Sequence, residues 1–426
     1  MVYNSSPARP MFTSLQYCSR CGMPSTEPEA KYDELGVCVT CRSSEQKMHI
    51  DWKQRELELR KICDKFRGKG LKVVCALFIL GLLQGPPEAG VAQAQTRFEF
   101  IDVHSHLVGG RSSQSDYYGA MSEAINIMDS FGIRKAFILP PPQISSQDWY
   151  DFPAIIDALK HHPQRFAFLG GGGALNTSIH RYSEPETVTD SIKRIFTVKA
   201  EEIIKAGAIG FGEIASLHIS AASGHPYEFV PADHPLILLL ADVAAKFNVP
   251  IDLHMDATTE EVPVPRRFKG GDNPRILPRT VGSLQRLLAH NRQAKIVWAH
   301  GGSDPLGAMT PTLIGSLMDE YPNLYVSLRV VGGKAPMHNK LLARGSIEPQ
   351  WLKLLIRHAN RFVIGTDSFF VSPNLMGSGP GSKFAERNVQ KIKATRHFLS
   401  LLPPEVFHKI ARDNASLIYK IADSRN

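Results

Sequence analysis

Cysteine is scarce in this sequence and unevenly placed. The chain has 426 residues and six cysteines, and none of them lies beyond Cys75. Disulfide bonds therefore cannot stabilise the larger, C-terminal part of the chain, which has to fold around an apolar core. The hydrophobic content of 43% is sufficient for such a core, and the length allows one large domain or two to three ordinary ones.

Two further absences concern partners. No dense block of Lys and Arg with interleaved aromatic residues occurs, although the net charge is +8, so the sequence gives no indication of nucleic-acid binding. The apolar run V-V-C-A-L-F-I-L-G-L-L at 73–83 is too short for an ordinary transmembrane helix. We therefore expect a small-molecule substrate, no stable membrane span and no nucleic-acid partner.

The first 67 residues contain two closely spaced cysteine pairs, C-S-R-C and C-V-T-C. This Cys-x2-Cys spacing is typical of a zinc site with four thiolate ligands, and it favours zinc over two disulfides or free thiols. Four protein ligands leave no open coordination position, so the predicted zinc is structural. The predicted knuckle or ribbon, followed by a helix, occupies residues 1–67, and its four ligands are Cys18, Cys21, Cys38 and Cys41.

The same segment resembles the N-terminus of the N-acetyl sugar amidotransferases of surface-polysaccharide synthesis. The resemblance rests on Y-C-S-R-C-G-M-P-S-T at 17–26, Y-D-E-L-G-V-C-V-T-C-R at 32–42 and the charged stretch 50–67. In that family an ATP-pyrophosphatase domain with an S-G-G-x-D-S loop follows, and this chain has no such loop. The activity is therefore not carried over. The segment is expected to act at most as an interaction module linked to sugar amidotransferase systems.

Residues 68–96 are similar to a secretory signal peptide. A basic lead, a short apolar core and an Ala-x-Ala-like end follow one another in this segment. It predicts a periplasmic or secreted location for the part that follows, or a cytoplasmic one if the full chain is expressed as written. One hypothesis places the start of the native product near 71–74, and the alternative is a buried helix between two domains.

Residues 97–426 alternate between short β-branched runs and amphipathic segments. The predicted strands are Phe98–Val103, Lys135–Leu139, Phe166–Leu169, Ala208–Gly212, Pro250–Leu253, Lys295–Ala299, Leu324–Leu328 and Phe362–Gly365. The predicted helices are Asp116–Phe131, Glu186–Ala206, Pro235–Phe247, Leu284–His290, Thr310–Tyr321, Pro349–His358, 384–402 and 404–421. This order predicts an α/β fold, specifically a (β/α)8 TIM-type barrel. A doubly wound open sheet is the alternative, but it usually has a Gly-rich phosphate turn after its first strand.

Five of these strands end in side chains that bind metals. The residues are His104, His106, Glu213, His254, His300 and Asp367. The C-terminal ends of parallel barrel strands meet at one mouth, and residues i and i+2 of a strand share a face, so we expect these side chains to converge. Imidazole and carboxylate ligands suit zinc, manganese or iron(II), and a bound ion turns water into a nucleophile near neutral pH.

The same strand ends resemble the amidohydrolase superfamily of metal-dependent hydrolases. The motifs are H-S-H, G-E-I, D-L-H-M-D, W-A-H-G-G and I-G-T-D-S, and R-D-N-A-S-L-I-Y resembles the C-terminal helix of that family. The resemblance spans 97–421 and implies that His104, His106 and Asp367 bind the first metal and that His254 is a ligand too. It implies that His300 is a second-metal ligand or a catalytic electrophile or acid.

One position departs from the common pattern of the superfamily. Glu213 stands where many binuclear members have a carboxylated lysine, as in the subgroup resembling the TatD-type deoxyribonucleases. A glutamate can bridge two ions, so one or two metals remain open. The sequences of the other motifs are closer to those of the amidohydrolase-2 branch, which includes decarboxylases and lactone hydrolases with one zinc.

The predicted function is the attack of metal-bound hydroxide on a lactone, ester or amide carbonyl. Asp367 is expected to orient the water and accept its proton, and His300 to polarise the carbonyl or bind a second ion. His218 and Arg329 are predicted substrate contacts, since an arginine can pair with a substrate carboxylate. The alternative reaction is zinc-dependent decarboxylation of an aromatic or enoic acid. A homo-oligomer is also possible.

Overall fold

The computed structural model describes residues 19, 31–38, 42, 54–58, 98–108, 116–142, 153–221, 225–332, 335–375 and 385–421. The chain divides into two compact units, Met1–Ala94 and Gln95–Asn426. Among the described residues, no helix combines the length and the apolar character needed to cross a bilayer.

In the first unit, an isolated antiparallel bridge between Tyr32 and Cys38 closes a turn. The Asp33 carboxylate accepts hydrogen bonds from the backbone N–H groups of Leu35 and Val37, at 2.9 and 3.0 Å, and also pairs with Arg42. Residues 54–58 are helical.

The predicted zinc knuckle stays a prediction. Cys38 is buried in the turn of the first unit, but the other three predicted ligands lie outside the described residues. Nothing in the described part of the chain supports a zinc knuckle. The signal-like segment 68–96 also lies outside the described residues.

The second unit is built on a central sheet with helices around it. Its strands are β1 (Phe100–Val108), β2 (Ile133–Ile138), β3 (Phe166–Phe168), β4 (Gly170–Gly171), β5 (Phe211–His218), β6 (Glu228–Phe229), β7 (Pro250–Met255), β8 (Val262–Pro263), β9 (Ile276–Leu277), β10 (Lys295–Gly301), β11 (Leu324–Leu328), β12 (Leu342–Ala343), β13 (Ser346–Ile347), β14 (Phe362–Ile364) and β15 (Ser368–Val371). Its helices are α1 (Tyr117–Phe131), α2 (Pro153–Leu159), α3 (Leu175–Arg181), α4 (Asp190–Lys205), α5 (Pro235–Phe247), α6 (Val281–His290), α7 (Pro311–Glu320), α8 (Pro349–Arg357), α9 (Ala385–Ser400), α10 (Pro404–His408) and α11 (Asn414–Tyr419). Short 3-10 turns lie at Pro185–Thr187, Arg266–Phe268, Ala359–Arg361 and Pro373–Leu375, and a π-helical turn at Lys409–Asp413 joins α10 to α11.

The strands of the main sheet pair in the order β3-β2-β1-β14-β11-β10-β7-β5-β4, and every pair on this path is parallel. The two ends of the path, β3 and β4, are separated only by Leu169. One short stretch of chain therefore pairs with β2 on one side and with β5 on the other. The path of hydrogen bonds consequently returns to its starting point.

Apolar side chains are buried on both sides of this sheet. A large cluster lies between the strands and the surrounding helices and includes Trp298 and Trp351. A smaller cluster contains strand residues such as Val103, Phe137 and Val297 together with Ala415, Ile418 and Tyr419 of α11. Helix α11 thus packs against strand residues that do not face the outer helices.

The predicted α/β class with a parallel sheet is confirmed, and a strand lies at each of the eight predicted places. The bounds of Leu324–Leu328 and Pro235–Phe247 agree with the prediction, whereas β5 was predicted to end at Gly212 and continues to His218. The continuation is buried and pairs with β7 on one side and with β6 on the other. Helices α2 and α3 and the short antiparallel pairs were not predicted, because seven- or two-residue elements carry little periodicity.

Candidate metal centre

His104 and His106 lie on β1, two residues apart, and both side chains are buried on the same side. The Nδ1 atom of His104 lies 3.1 and 3.2 Å from the two carboxylate oxygens of Asp252. The Nδ1 atom of His106 lies 2.8 Å from the carbonyl oxygen of Leu139. Because both acceptors favour the hydrogen on Nδ1, each ring presents an Nε2 lone pair at its other end, as metal-binding histidines do.

Carboxylates and a third imidazole surround these Nε2 atoms. Glu213 Oε2 lies 3.5 Å from His104 Nε2 and 3.7 Å from His106 Nε2. Asp367 Oδ1 lies 3.4 Å from His106 Nε2, and Glu213 Oε1 lies 3.4 Å from His300 Nε2. Bonds of about 2.0–2.1 Å to a tetrahedral zinc ion place ligand atoms roughly 3.3–3.4 Å apart, so these separations are close to those of ligands around one ion.

The Nε2 atom of His104 is the clearest sign of a missing partner. It is fully buried, and no described residue forms a hydrogen bond with it. Leaving a buried polar atom unpaired costs about 1–3 kcal/mol, and a cation at this point would remove that cost. The donor set therefore fits a divalent transition metal.

Within the part of the chain that the structure describes, two groups of three residues have ligand atoms close enough to hold an ion. They are His104, Glu213 and His300, and His104, His106 and Asp367. His254 belongs to neither group, but it lies beside the first one, with its Nδ1 2.6 Å from Glu213 Oε1 and 3.1 Å from His300 Nε2. The structure thus brings all six predicted residues together, while the ligand role of each of them stays a prediction.

Charged neighbours outweigh the effect of burial at two residues of the site. Burial alone would raise the pKa of Glu213, but the imidazoles around it, with His104 contributing most, hold its pKa well below the ordinary value. Burial likewise opposes a charged His104, but the Asp252 and Glu213 carboxylates raise its pKa well above the ordinary value. Glu213 is thus stable as an anion, which favours the binding of a cation at the centre.

The two predicted substrate contacts lie on different sides of the cluster. His218 ends β5, and its ring packs edge-on against His254 with centroids 4.4 Å apart. Burial and then the charge of His254 lower the pKa of His218 to about 3, so this imidazole is neutral. Arg329 follows β11, and its Nη2 lies 2.8 Å from Asp367 Oδ2. The structure therefore shows Arg329 in an ion pair with a predicted metal ligand.

Three residues of the cluster were not found from the sequence. Asp252 could have been found, because it precedes His254 by two residues on β7 and shares its face. Lys391 and Glu228 carried no such signal. Lys391 lies on α9, and Glu228 belongs to the two-residue strand β6.

The chain is similar to several solved structures. The 2,6-dihydroxybenzoate decarboxylase from Rhizobium is 14% identical, and the match covers 76% of this chain and 98% of that one at a TM-score of 0.42. A dihydroxybenzoic acid decarboxylase from Polaromonas sp. JS666, with bound manganese and the inhibitor 2-nitroresorcinol, is 14% identical over 76% and 97% of the chains at 0.43. Amidohydrolase 2 from Bifidobacterium longum subsp. infantis is 12% identical over 76% and 99% at 0.38.

No family model matches the chain, and no curated protein does. No comparison supports the resemblance of the first 70 residues to sugar amidotransferases.

Proposed function

We propose that residues 97–426 form a (β/α)8 barrel and act as a metal-dependent hydrolase of lactones, esters or amides. The observation that carries the proposal is the buried, unpartnered Nε2 atom of His104, with Glu213, His106 and His300 gathered around it. The same residues are predicted independently from the ends of the strands in the sequence.

The residues that would hold the metal fall into two sets that share His104. His106 and Asp367 complete one set, and Glu213 and His300 complete the other. One ion would be held by one of these two sets. A bound divalent ion would supply Lewis acidity, which activates water and polarises a carbonyl group.

Asp367 is the proposed general base. Burial raises its pKa, but the charges of Arg329 and then Lys391 outweigh burial and hold the pKa well below its ordinary value. The carboxylate is therefore ionised at neutral pH and accepts a proton from the attacking water. His300 presents a buried Nδ1 atom that no described residue engages, so this nitrogen is available to the carbonyl oxygen of the substrate.

Decarboxylation is the second candidate, and Arg329 favours it. The side chain of Arg329 is one-quarter exposed beside Asp367, and its Nε atom has no partner among the described residues. A guanidinium group in this position suits a substrate that bears a carboxylate. Every substrate of a decarboxylation bears a carboxylate, whereas a lactone, ester or amide need not.

Metal analysis of the purified full chain tests the proposal. We expect bound zinc, manganese or iron in the parent and loss of that metal in H106N, which removes one imidazole ligand. The control is H397N, since His397 is exposed on α9. Comparing the variants cancels any metal bound by the N-terminal cysteines.

Product analysis then separates the two reactions. Acid release from a panel of lactones and esters supports hydrolysis, whereas release of carbon dioxide from aromatic acids supports decarboxylation. If H106N and the parent bind the same metal, and added metal produces neither activity, the proposed function is wrong.

A further inference from the structure

Asp367 has a left-handed backbone conformation, with a φ of 52°. Residues with a side chain adopt this conformation at a cost, so the surrounding structure has to hold it. Two hydrogen bonds do so. The N–H group of Asp367 donates to the His104 carbonyl at 2.9 Å, and the Asp367 carbonyl accepts a hydrogen bond from the Lys391 ammonium group.

Lys391 reaches this turn from α9 and also lies near His106, another predicted metal ligand. Its Nζ lies 5.9 Å from the centroid of the Phe369 ring. His106 stacks on the same ring, with centroids 4.5 Å apart and planes inclined by 28°. Lys391 therefore contacts the backbone of Asp367 directly and His106 through one aromatic ring.

The ammonium group of Lys391 is partly buried at this turn. An ammonium group that is taken out of water is unfavourable unless it is paired, and the Asp367 carbonyl pairs with that of Lys391. The positive charge of Lys391 adds to that of Arg329 beside the Asp367 carboxylate.

We propose that Lys391 is a positioning residue of the metal centre, whose ammonium group holds the Asp367 turn so that the carboxylate faces His106. The proposal rests on the proposed function in one respect, that Asp367 and His106 are metal ligands. It assigns to α9 a direct part in the centre, although no residue of that helix ligates the ion.

Manganese binding by the full chain tests this role. Manganese alone is the probe, because four thiolates prefer zinc and imidazole with carboxylate accepts manganese. Loss of a residue that orients metal ligands typically weakens metal affinity about 10- to 100-fold, and we expect that loss in K391M. K391R, which keeps the charge, should restore most of the affinity. K393M, at an exposed position two residues along the same helix, should bind like the parent.

Crystal structures of the metal-free parent and K391M give the second readout. We expect the Asp367 carboxylate of K391M to leave its position 3.4 Å from His106 Nε2, with a change in the φ of Asp367. If K391M does not fold, K391Q replaces it in both experiments. Parent-like manganese affinity together with an unchanged Asp367 turn overturns the role of Lys391. If the parent itself binds no manganese or other metal, the proposed function fails, and the metal-free structures alone decide the role of Lys391.

Discussion

Glu228 provides a sharp test of the electrostatics around the centre. Its carboxyl group is 1% exposed on β6. Burial raises the pKa of Glu228 to about 7; the charge of His254 lowers the pKa, that of Glu213 raises it further, and a hydrogen bond with Asn176 lowers it slightly. In the folded protein this carboxyl group is therefore protonated well above the pH at which an exposed glutamate ionises.

The pH dependence follows from the two pKa values. Below the ordinary glutamate pKa of 4.5, the group is neutral in both the folded and the unfolded chain, so its ionisation does not change the free energy of unfolding. Between 4.5 and about 7 the unfolded chain releases the proton and the folded chain keeps it, so the free energy of unfolding falls as pH rises. Each pH unit between the two pKa values lowers the free energy of unfolding by about 1.4 kcal/mol, so the total loss at pH 8 is about 3 kcal/mol.

The variant E228Q removes this ionisation and keeps the shape of the side chain. We expect its advantage in free energy of unfolding over the parent to grow by about 2–3 kcal/mol between pH 5 and pH 8, measured by urea unfolding. E186Q, at an exposed position, should follow the parent at both pH values. An advantage that does not change with pH would refute the reasoning, because Glu228 would then be ionised and compensated in the folded protein.

Two further predictions concern the centre and the last helix. D252N is expected to weaken metal binding about 10- to 100-fold without unfolding the protein, because an asparagine amide can donate to His104 Nδ1 and so move the hydrogen to Nε2. Calorimetric titration with manganese measures the affinity, and D190N, at an exposed position, is the control. Equal affinities of D252N and the parent would contradict this prediction. K420G is expected to raise the free energy of unfolding by up to about 1 kcal/mol, because Lys420 caps α11 with a φ of 54° that glycine adopts without strain. Urea unfolding measures this difference. A loss of stability would contradict the prediction and show that the Lys420 side chain makes a stabilising contact.

The strand ends could be predicted from the sequence because their information is local. A short β-branched run followed by His or Asp is visible in one stretch, and the spacing of His104 and His106 already places both rings on one face. The alternating order of strands and helices then predicts that these side chains meet at the C-terminal ends of parallel strands. No contact between distant residues was needed for this step.

The supporting residues depend on contacts between distant parts of the chain, and for that reason most of them were missed. Lys391 and Asp367 are joined by a hydrogen bond across an intervening segment, and nothing in the local sequence of α9 indicates it. Glu228 is brought next to β5 by a two-residue antiparallel pair, too short to leave a pattern. The end of β5 was predicted too early because the glycine at position 212 resembles a terminator, whereas the strand continues through the next six residues, of which the first five are buried.

The pairing of β1 has a consequence for synthesis of the chain on the ribosome. One edge of β1 pairs with β2 almost at once, but the other edge waits for β14, where Asp102 is opposite Ile364. Val103 also waits for Ala415 and Ile418 to cover it. Through most of translation, a nascent chain of this protein therefore presents an unpaired, apolar strand edge at β1, of the kind that chaperones protect from pairing with other chains.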